Sequence, residues 1–98
     1  MADYVLSQSA KSDLIDITSY TATKFGLLQA EKYTRQLHNS SLLAAGFPQA
    51  GKTYRTSDDR IFHQFNCGRH AIFYRPTETG IFIVRILHLA MDFDQHLN

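Results

Sequence analysis

The fold is decided by residues 61–89, which read IFHQFNCGRHAIFYRPTETGIFIVRILHL. Runs dense in β-branched and aromatic residues alternate here with a break at residues 66–68 (NCG) and a turn-forming segment at residues 76–80 (PTETG). Short apolar runs bounded by Gly, Pro, Asn and Thr are typical of antiparallel strands joined by tight turns. The stretch therefore predicts an antiparallel meander.

Successive side chains of a strand point to opposite faces of the sheet, so alternation assigns each residue to a face. In the strand before PTETG, one face would carry Ala71 and Phe73, and the other His70, Ile72 and Tyr74. The strand after it divides in the same way, with Ile81, Ile83, Arg85 and Leu87 on one face and Phe82, Val84, Ile86 and His88 on the other. Because both faces of this last strand are mostly apolar, we expect it to be central and covered on both sides.

The N-terminal part of the chain predicts a short strand followed by a helix. A β-prone run at residues 4–6 is followed by Ser7 and Ser9, either of which can cap a helix over residues 9–24. The apolar stripe that defines this helix comprises Ala10, Leu14, Ile17, Thr21 and Phe25. This stripe needs an apolar surface to cover, and the meander offers one.

A second helix begins at Leu27 and is ended by the glycine and proline of residues 46–48. Its stripe comprises Ala30, Tyr33, Leu37, Ser41 and Ala44. Because only the residues around Gly26 separate the two helices, we expect them to fold back as an antiparallel hairpin.

Two segments remain. Residues 49–60 predict a loop with a short extended piece at residues 53–55, and the tail predicts a final helical turn in which Met91, Phe93 and Leu97 pack back. The predicted fold class is therefore α+β, in the order N-terminal strand, antiparallel two-helix hairpin, antiparallel sheet and short C-terminal helical turn.

Length and composition describe one globular domain, residues 1–98, in which 44% of residues are hydrophobic and 19% charged. The net charge of +1 provides no strong overall attraction to nucleic acid. The single cysteine excludes an intramolecular disulfide and suits a reducing compartment. With no signal peptide pattern and no apolar run of the ~18 residues that a membrane span needs, we expect a cytoplasmic protein without a membrane partner.

Most candidate functional side chains lie in the meander, namely His63, Arg69, His70, Arg75, Arg85 and His88. A zinc site needs several ligands at suitable spacing, whereas only His63, Cys67 and His70 flank the first hairpin. We therefore predict no metal and no cofactor. Cys67 has possible bases nearby, but its place in a tight turn favours an ordinary exposed residue over a nucleophile.

Five cations of the meander are the residue types that RNA cleavage requires, namely Arg69, Arg75, Arg85, His70 and His88. Such a reaction uses a cation to stabilise the phosphorane and two groups to move protons. Arg85 is the most unusual of them because it lies among apolar residues, where a guanidinium needs a partner. Arg85 is either in a structural ion pair, with a carboxylate such as Asp92, or part of a site, and the residues leave both alternatives open.

Three segments of the chain resemble the ParE family of toxins of bacterial type II toxin–antitoxin modules, within the RelE/ParE superfamily. They are YVLSQSAKSDLIDITSYTATKFGLLQAEKY at residues 4–33, GRHAIFYR at residues 68–75 and IFIVRILHLAMDFDQHL at residues 81–97. The resemblance covers nearly the whole chain. It implies a strand, a helical hairpin and a curved antiparallel sheet, in agreement with the pattern described above.

The resemblance also implies a function. ParE-type toxins bind and inhibit DNA gyrase, which blocks replication, and a ParD-like antitoxin neutralises them in a hetero-oligomer. The related RelE toxins instead cleave mRNA on the ribosome, often with a tyrosine near the C-terminus. This chain has no tyrosine after Tyr74, and its middle carries only Lys52, Arg55 and Arg60 as basic residues. We therefore expect a gyrase inhibitor without catalytic residues or direct sequence-specific binding to nucleic acid, and the RelE-type endoribonuclease is the alternative.

From these cations and the expected groove between hairpin and sheet, we predict two binding sites. The residues expected to contact the target are Arg69, His70, Arg85, His88, Met91 and Asp92. Those expected to contact the antitoxin are Arg75, Tyr74, Tyr33 and Leu37.

Overall fold

The computed structural model describes residues 2–97. Its elements are β1 (Asp3–Leu6), α1 (Gln8–Phe25), α2 (Leu27–Gly46), β2 (Lys52–Arg55), β3 (Ile61–Cys67), β4 (His70–Pro76), β5 (Gly80–His88) and α3 (Phe93–His96). The predicted α+β class and the predicted order of elements are confirmed. No helix in the described part of the chain is long and apolar enough to span a membrane.

The five strands form one sheet in the order β1-β5-β4-β3-β2. β2 to β5 are antiparallel, as the meander predicts, but β1 pairs in parallel with β5. Parallel neighbours need a crossover connection, and the helical hairpin forms part of the connection here. The sequence predicted the strand at the N-terminus, but it did not predict its partner.

The α1 N-terminus is held by Ser7, one of the two predicted caps. The Ser7 hydroxyl accepts a hydrogen bond from the Ala10 amide at 3.0 Å and donates one to the Val84 carbonyl at 2.6 Å. One side chain therefore caps the helix and ties it to β5.

The helical hairpin forms as predicted, with Gly26 (φ +95°) as its only connecting residue. Thr18 and Thr34 hydrogen-bond between the helices at 3.2 Å. The prediction that Phe25 belongs to the buried stripe was wrong, because its side chain is 63% exposed. The stripe is buried as far as Thr21, and the last turn of α1 lies beyond the hydrophobic core.

A β-bulge in β5 changes which residues share a face. Ile83 pairs with Tyr74, whereas the next pair along β4 is Phe73 with Arg85, so Val84 is an extra residue. The predicted alternation along β5 was therefore wrong beyond Val84. Regular alternation assumes an unbroken ladder, and the bulge places Ile86 on the same face as Ile83.

The sheet has a hydrophobic cluster on each face. The cluster under the helices contains Ala10, Leu37, Ala44, Ala45, Ile72, Tyr74, Ile81, Ile83 and Ile86. The cluster on the opposite face, which α3 helps to cover, contains Phe62, Ala71, Phe73, Leu87 and Leu97. The expectation that β5 lies inside the sheet is confirmed. Its two faces are both covered at Ile86 and Leu87, whereas Phe82, near the start of the strand, is 36% exposed.

Candidate functional site

Several of the predicted target-binding residues meet at one end of the sheet. His70 pairs with His88 across β4 and β5, and their rings are 5.3 Å apart in an edge-to-face arrangement. The Arg69 carbonyl accepts a hydrogen bond from the Leu89 amide at 2.9 Å, and the His88 carbonyl accepts one from the Met91 amide at 3.0 Å. We call this group, Arg69, His70, His88, Leu89 and Met91, the sheet-end surface.

Tyr33 of α2 organises the turn that carries Arg69. Its hydroxyl lies 2.6 Å from His70 Nδ1, donates to the Cys67 carbonyl at 3.2 Å and accepts from the Arg69 amide at 3.3 Å. Gly68 (φ +58°) lies under the ring, where a Cβ atom would come within 2.8 Å of Tyr33. The turn therefore depends on a small residue with a left-handed backbone and on the tyrosine that covers it.

Burial is the main factor that lowers the pKa of His70, and the neighbouring His88 lowers it further, while Asp13 acts in the opposite direction. The His70 ring can hydrogen-bond to Tyr33 whether it is neutral or charged. Neutral His70 can accept a hydrogen bond from the Tyr33 hydroxyl at Nδ1. Charged His70 donates one to the Tyr33 oxygen instead, and the Tyr33 hydroxyl then donates to the Cys67 carbonyl.

This pKa shift predicts how stability depends on pH. The folded state binds a proton at His70 less readily than the unfolded state, so the resulting stabilisation is present above pH 6.5 and is lost as the pH falls through the folded pKa. We expect the free energy of unfolding in urea to fall between pH 7.5 and pH 5, and His70→Gln to reduce that fall. His38→Gln, at an exposed position of α2 outside the sheet-end surface, is the control for replacing a histidine and should not reduce the fall. Equal dependence in the wild type and His70→Gln would contradict the prediction.

Arg85 does not belong to the sheet-end surface, because its guanidinium has other partners. Nε and Nη2 donate to the two carboxylate oxygens of Asp13 at 2.7 and 2.8 Å, and Nη1 donates to the His96 carbonyl at 2.7 Å. The suggested partner Asp92 was therefore wrong, since the carboxylate comes from α1. The hydrogen bonds that Arg85 donates to Asp13 are the main factor that raises the pKa of Arg85.

Asp13 also completes the edge of β5. β1 pairs with β5 only as far as Ile83, so the backbone N–H and C=O groups of β5 beyond Ile83 need other hydrogen-bond partners. The Val84 carbonyl accepts from Ser7, and the Ile86 amide donates to Asp13 at 3.0 Å. Sequence reasoning missed this role of Asp13, because nothing near Asp13 in the sequence indicates a partner 72 residues away.

The two remaining predicted target residues lie just beyond β5. Met91 is 45% exposed, so the prediction that its side chain packs back was wrong. It belongs to the sheet-end surface, where its amide is hydrogen-bonded to the His88 carbonyl. Asp92 is exposed and precedes α3 as its N-cap residue. Both therefore offer side chains to a partner from this end of the molecule.

The predicted antitoxin residues are not brought together. Tyr74 is fully buried and donates to the Pro48 carbonyl at 2.8 Å, and Leu37 is 2% exposed in the core. Both side chains are therefore buried in the cluster between helices and sheet, because the helical stripe turns Leu37 towards the sheet and strand alternation turns Tyr74 towards the helices. Tyr33 is half-buried in the turn network, and Arg75 is exposed at the far end of β4.

The structure also shows where the residues considered for a nucleophile or a metal site lie. Cys67 is half-buried at the end of β3, and its carbonyl rather than its thiol is engaged by Tyr33. His63 stacks on Tyr74 at 5.4 Å, on the helix-facing side of the sheet. Across residues 2–97, no three His, Cys, Asp or Glu side chains are placed to share a metal ion.

Comparison with solved structures defines the class of fold. A chain of the structure described as "Chromosomal ParDE TA system from P. aeruginosa" superposes with a TM-score of 0.69 and 19% sequence identity. The match covers 90% of this chain and 96% of that chain. At this identity the likeness shows the fold, which is that of a chain from a toxin–antitoxin system.

The family is shown by sequence. The family model described as "ParE toxin of type II toxin-antitoxin system, parDE" matches residues 4–93. This chain belongs to the ParE toxin family of type II toxin–antitoxin systems. The resemblance of its sequence to these toxins is thereby confirmed.

Curated relatives agree with this assignment. "Toxin ParE1" of Mycobacterium tuberculosis (strain CDC 1551 / Oshkosh) is 37% identical over 98 residues, which cover 96% of each chain. "Toxin ParE1" of Caulobacter vibrioides (strain ATCC 19089 / CIP 103742 / CB 15) is 33% identical over 100 residues, which cover 99% of each. The chain therefore spans almost the full length of these relatives.

Proposed function

We propose that this ParE-family toxin acts by binding and inhibiting DNA gyrase in the cytoplasm, without catalysing a reaction. A ParD-like antitoxin neutralises it by forming a hetero-oligomer with it. Membership of the ParE family supports the choice of target and partner. The proposal that the toxin acts by binding rests on how the structure distributes its cations.

The single observation that carries the proposal is that the five candidates for RNA cleavage lie in three separate places. Arg69, His70 and His88 lie at one end of the sheet. Arg75 lies five residues after His70 along β4, about 17 Å from it at the usual strand rise. Arg85 is held by Asp13 and the His96 carbonyl. Of the three arginines, only Arg69 therefore stays at the same end of the sheet as the two histidines. Both histidines there already use Nδ1 in hydrogen bonds, His70 with the Tyr33 hydroxyl and His88 with the Ala90 amide, which favours a structural role for the rings.

The sheet-end surface suits contact with another protein. Arg69 is exposed and, within residues 2–97, its guanidinium has no carboxylate partner. Leu89 and Met91 beside it are 42% and 45% exposed. Arginine and methionine next to apolar area are enriched in protein interfaces. We assign target binding to this surface, with Asp92 at its margin and Arg85 acting indirectly by holding β5.

The proposed function is tested with the purified chain in two assays. Added to DNA gyrase, it should stop supercoiling of a plasmid, and added to translating ribosomes it should leave mRNA uncut. Undiminished supercoiling together with cleavage of mRNA at codons would overturn the proposal and support the RelE-type alternative.

Arg69→Glu tests the sheet-end surface. Because removing an anchor arginine from an interface typically costs at least ~2 kcal/mol, we expect about 30-fold weaker inhibition of gyrase at unchanged thermal stability. Lys24→Glu, at the exposed end of α1 in the hairpin, makes the same charge change away from this surface and should inhibit like the wild type. Full inhibition by folded Arg69→Glu would remove Arg69 from the proposed site.

A further inference from the structure

Part of the sheet face opposite the helices is uncovered. Val5, Phe82 and Arg75 occupy one cross-strand row over β1, β5 and β4, because Val5 pairs with Phe82 and Phe82 with Arg75. Paired residues share a face of the sheet. Val5 is 62% and Phe82 36% exposed, and Arg75 is exposed too. We call these three residues the open-face strip.

Arg75 supplies the strip with a cation that has no carboxylate partner. Its guanidinium lies over the Phe62 ring, 4.8 Å from the centroid. Among residues 2–97 it makes no ion pair. The ring satisfies one face of the guanidinium, but its N–H groups at the edge remain able to bind a carboxylate in bidentate fashion.

The neighbouring part of the same face shows what kind of segment it accepts. There α3 places Phe93 against Phe73, with ring centroids 4.8 Å apart, and buries Leu97 to 1% exposure. Asp94, between them, accepts hydrogen bonds from the Tyr54 hydroxyl and, at 2.7 Å, from the Ser57 amide. This part of the face is thus covered by a helical turn that carries two apolar residues and an acid.

The open-face strip has the same chemistry without a cover, namely two exposed apolar side chains and a donor. We propose that it docks an acidic amphipathic segment of the antitoxin, whose apolar residues cover Val5 and Phe82 and whose carboxylate pairs with Arg75. The inference rests on the proposed function, in which a ParD-like antitoxin binds this chain. It assigns that partner to the open face, away from the sheet-end surface.

Separate surfaces have a consequence for neutralisation. His70 of the sheet-end surface and Arg75 of the open-face strip lie near opposite ends of β4, about 17 Å apart at the usual strand rise. A partner bound to the strip alone therefore does not cover the sheet-end surface. An antitoxin segment on the strip therefore leaves Arg69 accessible unless a further part of the antitoxin reaches it. Binding to the strip and relief of toxicity are thus separable measurements.

The experiment titrates the purified chain with its ParD-like antitoxin and measures the dissociation constant. We expect Arg75→Glu to weaken binding about 30-fold or more, because it replaces an attraction within an apolar contact by a repulsion. Arg75→Lys keeps the positive charge but loses the paired N–H groups that bind a carboxylate in bidentate fashion, and it should weaken binding by a smaller factor. Arg55→Glu, the same charge change on exposed β2, is the matched control and should bind like the wild type.

The folded state of each variant is checked by thermal unfolding, where these exposed substitutions should leave the midpoint nearly unchanged. Unchanged binding by Arg75→Glu would overturn the docking site and leave the proposed neutralisation standing. Failure of the wild type to bind the antitoxin would overturn both. If the free chain is a dimer that Arg75→Glu converts to a monomer, a second copy covers the strip and the proposal is wrong.

Discussion

Asp13→Ala is expected to destabilise the protein by about 3–5 kcal/mol, a large part of the ~5–15 kcal/mol that stabilises a typical domain. The substitution removes both carboxylate contacts of Arg85, whose side chain is only 23% exposed, and the acceptor of the Ile86 amide. The half-buried guanidinium would then have no carboxylate and only its hydrogen bond to the His96 carbonyl, and the Ile86 amide would have lost its acceptor. The measurement is urea unfolding followed by circular dichroism.

Asp16→Ala, one helical turn away on the exposed side of α1, is the control and should change stability by less than about 0.5 kcal/mol. The double substitution Asp13→Ala with Arg85→Met should recover part of the loss, because no unpaired charge remains. If the midpoint of urea unfolding is the same for Asp13→Ala as for the wild type, the ion pair does not stabilise the fold.

Gly80→Ala is the second substitution with a large expected effect. At this position a Cβ atom would lie 1.7 Å from the Asp3 carbonyl oxygen, well inside contact distance, and the backbone has φ +157°. The contact is with backbone, which cannot move without separating β1 from β5 at their first pair, Asp3 with Gly80. We expect a loss of at least ~3 kcal/mol, or failure to fold, measured by urea unfolding.

Gly46→Ala separates this steric effect from the general effect of replacing a glycine. Gly46 is the last residue of α2, and a Cβ atom there would meet nothing within 4 Å. Alanine at a compatible position stabilises by about 0.4–1 kcal/mol, so the two substitutions should change stability in opposite directions. A Gly80→Ala variant as stable as the wild type would show that β1 is not held at this pair.

Asp13→Ala and Gly80→Ala both act where the N-terminal part of the chain meets β5. This junction supports the two proposed surfaces. Val5 of the open-face strip is positioned by the pairing of β1 with β5. His88, in the sheet-end surface, lies three residues beyond Arg85, which Asp13 and the His96 carbonyl hold. Loss of the junction should therefore weaken binding at both surfaces, whereas Arg69→Glu and Arg75→Glu should each affect one.

Much of the fold could be predicted from the sequence because its signals are local. Helical stripes, the capping serine and the glycine at residue 26 act within a few residues along the chain, and each formed the element that it predicted. The antiparallel meander likewise followed from apolar runs and tight turns. Segments spread over the whole chain also identified the ParE family.

The tertiary structure alone decided which distant groups meet. The bulge at Val84 shifts the alternation of β5, and Asp13 rather than Asp92 meets Arg85 across 72 residues of sequence. The parallel pairing of β1 places Val5 beside Phe82 in the open-face strip. The register of β4 with β5 and the turn before β4 bring Arg69, His70 and His88 to one end of the sheet. These features depend on the register between strands and on backbone groups left unpaired at a sheet edge. Neither can be predicted from the residues that lie close to these features in sequence.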